Sequence, residues 1–367
     1  MADLTEGLAI AVQAPPPVHT AGLVGWLRAN LFSSVFNTIL TLLCVALLAM
    51  VIPPVVRWAL IDAIWRASSG ATCHGAGACW AFIGEKIRFI LFGFFPSGEV
   101  WRPITVVVIF LLMILVACDR RSWGRRLAVL WAFGLLTVYF LMHGGLFGFS
   151  TVETRLWSGL PLTLIIAVVA MLFAFPLAIL LALGRRSRLP AVRAICVGYI
   201  ELIRGVPLIT FLFMASLMLP LFLPTGVTLD KLLRAQVAFI LFAAAYLAEV
   251  IRGGLQAIPR GQLEAADALG LSYVQRTRLI LLPQALALVI PPLVNTFIGI
   301  FKDTTLVIII SLFDLLGTAE GALSDVNWQG FYIEDYLVIA LIYFSFCFFM
   351  SRYSQMLEHE FNRGARR

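Results

Sequence analysis

The sequence predicts an all-α, polytopic helical membrane protein with about eight transmembrane helices, and three observations carry that prediction. Of 367 residues, 61% are hydrophobic and only 13% are charged, and the mean hydropathy is +0.96, too apolar for a soluble domain of this length. The apolar residues come in long runs rather than at every second position. Spanning elements of that kind are helices, which satisfy their own backbone in lipid, and not barrel strands. The arginines cluster in short loops beside those runs, so the formal charge of +7 reports topology rather than a nucleic-acid partner.

Taken in order, residues 1–30 contain Ala14-Pro-Pro-Pro17 and no apolar run of signal-peptide type, and read as a tail ahead of an uncleaved first span. That span runs from about Val35 to Leu60, with Pro53 and Pro54 placed to kink it. Spans two and three cover about Pro103 to Cys118 and Leu127 to Met142, both short for a core of about 30 Å. Span four, about Leu160 to Leu183, contains Pro176. An interfacial helix over Pro190 to Arg204 follows, with Ile195, Tyr199, Leu202 and Ile203 as its apolar side, before the chain turns inward at Pro207. Spans five and six cover about Leu208 to Leu223 and Ala235 to Val250. Span seven starts at Pro283, passes Pro291 and Pro292 and meets Lys302-Asp303-Thr304-Thr305, and span eight runs from about Leu337 to Phe349.

Orientation follows from the arginines and lysines beside the spans. With the N-terminus in the cytoplasm, the clusters at Arg120 to Arg126, Arg185 to Arg193 and Arg252 to Arg278, and the tail ending Arg366-Arg367, all lie inside. Arg66, Lys86, Arg88, Arg102, Arg155, Lys231 and Arg234 remain outside. The bias favours both termini in the cytoplasm.

Between spans six and seven lies a polar loop with Arg252, Arg260, Arg276 and Arg278. It reads as two short helices joined at a glycine. Leu263, Ala266 and Leu269 recur at helical spacing, Glu264 lies near the positive N-terminal end, and Gly270 is placed to stop the first helix in a left-handed conformation. Ser272 and Gln275 form a capping-box pattern for the second helix, and Pro283 suits the first turn of the next.

Glu264-Ala265-Ala266, Gly270 and Ile280-Leu-Leu-Pro283 resemble the EAA motif of ABC-importer permeases, the cytoplasmic element that docks into an ATPase subunit. The flanks, Gly261-Gln-Leu, Leu282-Pro-Gln-Ala285 and Lys302-Asp303-Thr304-Thr305, are similar to the histidine/glutamine branch of amino-acid importers. The stretch from Cys79 to Gly93, with Trp101-Arg-Pro103, is similar to the longer membrane subunit of general L-amino acid ABC transporters.

This resemblance implies a permease subunit with a methionine-permease-like (MetI-like) core. It divides the chain into a cytoplasmic tail over 1–30 and an accessory three-span unit over 31–150. A five-span core over 151–357, with the coupling loop at 252–282, and a basic tail over 358–367 complete it. The implied partners are a pair of ABC ATPase subunits, a second related permease in a heterodimer and a periplasmic amino-acid-binding protein, in a bacterial inner membrane. The chain itself would bind no cofactor; ATP and Mg would be used by the ATPase. The ATPase-coupling residues on this reading are Gln262, Glu264, Ala265, Ala266, Asp267 and Gly270.

Candidates for the translocation path are Lys302, Asp303, Asn295, Glu201 and Arg204. Charges within a membrane are costly and face a pathway or each other, so Lys302 and Asp303 either compensate one another at a helix break or line the path. Asn295, a turn or so below, would add a hydrogen bond. Glu201 and Arg204 equally suit an i,i+3 pair with a positive-inside anchor. Cys73 and Cys79 share an outer loop whose intervening residues are mostly small, placing them for a disulfide in an oxidising compartment. His74 lacks further ligands for a metal.

The sequence contains no G-x-x-x-x-G-K-[ST] phosphate loop and no H-E-x-x-H, and its four histidines are scattered at 19, 74, 143 and 359. No catalytic residue is therefore assigned. Two other functions compete: an ABC permease for a sugar, peptide or phosphate, and an ion-coupled carrier acting alone. The first conflicts with the amino-acid-like flanks, and the second with the scarcity of charges in most spans.

Overall fold

The protein was described from a computed structural model covering residues 22–75, 77–145, 148–224 and 226–365, with side chains as far as Glu360. Most of the expected N-terminal tail lies outside these residues. The chain divides into two compact units, Met1–Trp65 with Cys73–Trp80, and Arg66–Thr72 with Ala81–Arg367.

The first unit holds α1 (Leu23–Asn30) and α2 (Val35–Val56), the latter continued by a wide helical turn over Arg57–Ile61. Ser34 caps α2 by accepting from the Asn37 amide at 3.1 Å. Pro53 and Pro54 lie inside α2, just before the helix widens. The segment Cys73–Trp80 folds back onto this end. The Ala78 amide donates to the Trp58 carbonyl at 2.8 Å, the Ile64 amide to the Ala78 carbonyl at 2.8 Å, and the Trp80 indole to the Ala59 carbonyl at 2.7 Å. Cys73 and Cys79 are joined by a disulfide within this fold-back.

The first α-helix of the second unit is α3 (Trp80–Phe92), which belongs to it from Ala81 onward, a 13-residue helix where the sequence reading placed an outer loop. Apolar Phe82 and Ile90, fully buried, and Lys86 between them share one face of it at i, i+4 spacing, and Lys86 pairs there with Asp325 at 2.5 Å. The spans α4 (Trp101–Cys118) and α5 (Arg125–His143) pack together as a hairpin.

The centre of this unit is α6 (Gly159–Arg185) against α9 (Lys231–Ala257), the most extensively packed pair of helices. Sequence composition explains the closeness. Ala170, Ala174, Ala178 and Ala182 recur every four residues along α6, and Ala235, Ala238, Ala245 and Ala248 lie on α9, all buried. Small side chains let two backbones approach where lipid supplies no hydrophobic drive.

Between them in sequence come α7 (Pro190–Arg204) and α8 (Leu208–Phe213), the latter continued by a wide turn over Met214–Met218 and a 3-10 turn over Leu219–Phe222; Pro190–Arg204 and Leu208–Phe222 meet at 103°. The apolar side of α7 is split. Ile200 and Ile203 are buried, whereas Ile195 and Leu202 are 72% and 68% exposed, so the expected stripe of four residues is not a single packed face.

Beyond α9 follow α10 (Arg260–Ala268), α11 (Tyr273–Arg276), α12 (Leu282–Leu288) and α13 (Ile290–Asp303), which tightens to a 3-10 turn over Thr304–Ile310. The last elements are α14 (Leu315–Ala322) and α15 (Tyr332–Ala365). Asp314 caps α14 from a fully buried position, accepting from the Gly317 amide at 3.0 Å and from the Tyr343 hydroxyl of α15 at 2.9 Å. Among the described residues seven helices are long and apolar enough to cross a membrane, or eight if the bent pair α7 and α8 is one span.

Candidate functional site

The polar loop after α9 forms a helical knob whose termination is dictated by its sequence. At the end of α10 the Leu271 amide donates to the Ala266 carbonyl at 3.2 Å and the Gly270 amide to the Asp267 carbonyl at 3.0 Å. This is the Schellman pattern, which requires a left-handed residue between helix and exit. Gly270 supplies it with φ +72°. A Cβ built there would meet nothing within 4 Å, so the demand for glycine comes from the backbone and not from crowding within the chain.

Ser272 then starts α11 with a complete capping box: its hydroxyl accepts from the Gln275 amide at 3.4 Å, and the Ser272 amide donates to the Gln275 side chain at 3.0 Å. Arg276 donates to Asp267 across the joint, and its guanidinium stands 5.8 Å from the centre of the Tyr273 ring.

Two expectations are corrected here. Glu264 is the fifth residue of α10, beyond its first turn, so the helix dipole has little hold on it. Leu269 is 77% exposed and belongs to the tip, while Ala266, at 1%, is the residue that packs. Pro283 does lie in the first turn of the next helix, α12. A wide turn over Thr277–Leu281 makes α11 and α12 one helical run, and the proline follows that turn, where its missing N–H is accommodated.

The base of the knob is set by Gly254 on α9. A Cβ there would stand 2.6 Å from the Ala285 carbonyl oxygen of α12, so only glycine lets α9 and α12 come this close. Gln284 bridges to Gln262 at 3.4 Å. Of the coupling candidates, Gln262, Glu264, Ala265 and Asp267 are exposed, and Ala266 is buried. The exposed tip adds Leu269, Tyr273 and Val274, none of which the sequence reading placed among the coupling residues.

The path candidates separate into two places. Asn295 and Lys302 are seven residues apart on α13, two turns rather than one, and both are exposed; Asp303 is half-buried. Among the described residues no ion pair joins Lys302 to Asp303. The helix changes from α to 3-10 directly after Asp303 and runs on to Ile310, so the polar knot marks a change of helix type and not a break in the span.

Glu201 and Arg204 belong to a cluster at the other end of the α6–α9 pair. Arg185 of α6 holds Glu201 at 2.9 Å and Glu249 of α9 at 3.2 Å, and Arg252 Nε donates to Glu249 at 2.8 Å. Arg204 lies over the Tyr246 ring at 5.6 Å instead of pairing with Glu201. Glu249 went unremarked in the sequence, and Arg252 was counted there only as an inside charge of the loop. Their signal was an i,i+3 pair of opposite charges inside an apolar run.

Arg102, counted from sequence as an outer-loop charge, is fully buried. It donates to the Leu141 carbonyl at 2.6 Å and the Ser150 carbonyl at 3.1 Å, and pairs with Glu99. It thus satisfies a carbonyl that the last turn of α5 leaves without a helical partner. The hydrogen bond from Ser150, followed by that from Arg102, holds the Glu99 carboxyl below its usual range.

Residues 174–363 match the family described as "Binding-protein-dependent transport system inner membrane component". The chain belongs to this family. Along nearly its full length it is also 52% identical to the inner membrane amino-acid ABC transporter permease protein YhdY of Escherichia coli (strain K12), covering 95% of this chain and 96% of that one. It is 41% identical to the glutamate/glutamine/aspartate/asparagine transport system permease protein BztC of Rhodobacter capsulatus, covering 96% of each. Among solved structures, the crystal structure of an amino acid ABC transporter with histidines aligns at 32% identity and a TM-score of 0.49, covering 55% of this chain and 92% of that one. As a member of the family the chain is a multi-span permease of the ABC type, and the knob occupies the interval between two of its spans.

Proposed function

We propose that this chain is the permease subunit of an ATP-driven importer of L-amino acids, working with a pair of ATPase subunits, a second related permease and a secreted amino-acid-binding protein. The observation that carries the reading is the knob: a rigid helix–Gly270–helix element projecting between α9 and α12. Full-length similarity to two permeases named for amino acids supports the substrate class.

On this reading the exposed tip, Glu264, Leu269, Tyr273 and Val274, inserts into a cleft of the ATPase in the cytoplasm, with both termini of the chain on the same side. A displacement of the knob passes directly into the spans, because α9 is one unbroken 27-residue helix and α11 runs without interruption into α12. The cluster of Arg185, Glu201, Glu249 and Arg252 ties α6, α7 and α9 together, so the three move as one body. Glu201 and Arg204 then serve as braces rather than as substrate contacts.

The path runs along the exposed face of α13 bearing Asn295 and Lys302, closed on its far side by the second permease. Lys302 offers an ammonium to the substrate carboxylate and Asn295 a neutral hydrogen-bonding group. ATP and Mg are bound and used by the ATPase subunits.

The test is uptake of labelled amino acids by proteoliposomes containing the permeases, the ATPase and the binding protein. Uptake should require ATP and all components. Uptake driven by an ion gradient without the ATPase would overturn the reading in favour of a secondary carrier, and selective uptake of a sugar or phosphate would overturn the substrate class.

A further inference from the structure

A partly open cavity of about 650 Å³ lies among α4, α5, α6, α13 and α15, well away from the knob. Its walls include Leu115 of α4, Trp131 of α5, Val168 and Phe175 of α6, Phe301 of α13 and Met350 of α15. The wall residue Ser345 turns its hydroxyl to the Leu341 carbonyl at 2.7 Å, so it offers the cavity no free donor. A zwitterionic amino acid would lose its hydration here without compensation. Water would lack the polar partners it needs, and an empty cavity would forfeit the dispersion contacts of its lining. In the hydrocarbon core of a bilayer the filler with matching chemistry is an acyl chain.

The rim decides which lipid. On α5, Arg125 and Arg126 precede Trp131 by six and five residues, about 8 to 9 Å along the helix at 1.5 Å per residue. On α4 and α15 the lining residues Leu115 and Met350 are followed shortly by Arg121 and Arg352. All four arginines are exposed, and Trp123, 48% exposed, sits on the same edge as an interfacial aromatic. Several exposed arginines within about two helical turns of an apolar slot, on or beside three of its lining helices, are the arrangement that receives an anionic headgroup with its tail buried.

We infer that this cavity is a binding site for an anionic phospholipid of the leaflet on the Arg125 side, with an acyl chain among α4, α5, α6 and α15 and the headgroup at the arginine rim. The bound tail fills the seam between the α4–α5 hairpin and the helices α6, α13 and α15. The inference rests on the chain being a membrane permease, and on the proposed orientation only for which leaflet supplies the lipid.

The assembled complex is placed in phosphatidylcholine nanodiscs with a small fraction of phosphatidylglycerol carrying a photoactivatable acyl chain, irradiated and mapped by mass spectrometry. Labels should concentrate on the cavity lining, and excess unlabelled phosphatidylglycerol should reduce them at least tenfold more than excess phosphatidylcholine. Val168→Trp, which fills the cavity, should remove those labels and leave labelling of other lipid-facing helices unchanged. Leu115→Trp provides the same test from another helix if the first variant does not assemble. Replacing both Arg125 and Arg126 with Gln should keep the labels but abolish the preference for phosphatidylglycerol. Labelling spread evenly over all exposed helices, labels indifferent to both tryptophan variants, or equal competition by the two lipids would overturn the inference. Amino-acid uptake is measured separately, so a failure of the transport reading leaves these outcomes interpretable.

Discussion

Asp267 and Arg276 face each other across Gly270, so the two helices of the knob are joined by a charge-assisted hydrogen bond as well as by their backbone. The Arg276 side chain is 19% exposed and that of Asp267 is 57% exposed. A pair this open contributes about 0.2–1 kcal/mol to stability, so its weight lies in fixing the angle between α10 and α11. We predict that Arg276→Gln leaves the permease abundant in the membrane and lowers coupled uptake severalfold, whereas exchanging the pair, Asp267→Arg with Arg276→Asp, restores part of it. The two measurements are quantitative immunoblotting and uptake. No recovery in the exchanged variant would show that Arg276 acts through something other than Asp267.

At Gly270 the backbone argument makes a graded prediction. A left-handed conformation costs an ordinary L-residue about 1–2 kcal/mol, and Asn or Asp less. Gly270→Asn should therefore be tolerated by the chain itself, and Gly270→Val should loosen the knob. Gly270→Asp keeps the turn but adds charge and bulk to the docking surface, so it should leave insertion normal while weakening co-purification of the ATPase or uncoupling ATP hydrolysis from uptake. Glu264→Ala should act in the same direction more mildly. Normal ATPase association together with normal uptake in Gly270→Asp would sink the assignment of this element as the coupling site.

For the polar end of α13 the prediction is additivity. Lys302 and Asp303 are adjacent in sequence but form no ion pair; what couples them is a through-space Coulombic interaction only, so the departure from additivity should be small. Lys302→Ala should reduce uptake at least tenfold without reducing membrane abundance, and the double variant with Asp303→Ala should show the sum of the single effects. Uptake unchanged in Lys302→Ala would remove this face of α13 from the path. A double variant milder than Lys302→Ala alone would mean that the two charges compensate each other in the assembled transporter.

Arg102 yields a prediction about folding rather than transport. Arg102→Met leaves partly exposed Glu99 without its cation and the Leu141 carbonyl without a donor, a loss of about 1–3 kcal/mol for a buried acceptor left unsatisfied. The variant should show lower thermal stability and lower yield, most visibly as protease sensitivity around α4 and α5. Arg102→Lys should rescue little, because an ammonium cannot reach several acceptors in one plane. A melting temperature equal to that of the parent would show that these contacts are dispensable.

Much of this protein was settled by local sequence. The Gly270 turn, the Ser272–Gln275 capping box and the apolar runs each depend on neighbours within a few residues, where backbone sterics and helix periodicity act without help from the rest of the chain. Family-like motifs could be recognised there for the same reason. What local sequence left open was decided where helices distant in the chain meet. Lys302 and Asp303 sit side by side in sequence but do not pair. Glu201 lies three residues from Arg204 yet takes Arg185 as its partner. Arg102, read as an outer-loop charge, is consumed inside by the end of α5, and Leu269, at helical spacing from buried Ala266, is exposed at the tip. For Glu201 and Arg102 the deciding groups are close in space and distant in sequence, Arg185 for the one and the Leu141 and Ser150 carbonyls for the other. Burial settles the pairing, since a charge or a carbonyl taken out of water must find its partner among whatever groups the packing of α4 to α9 brings within reach.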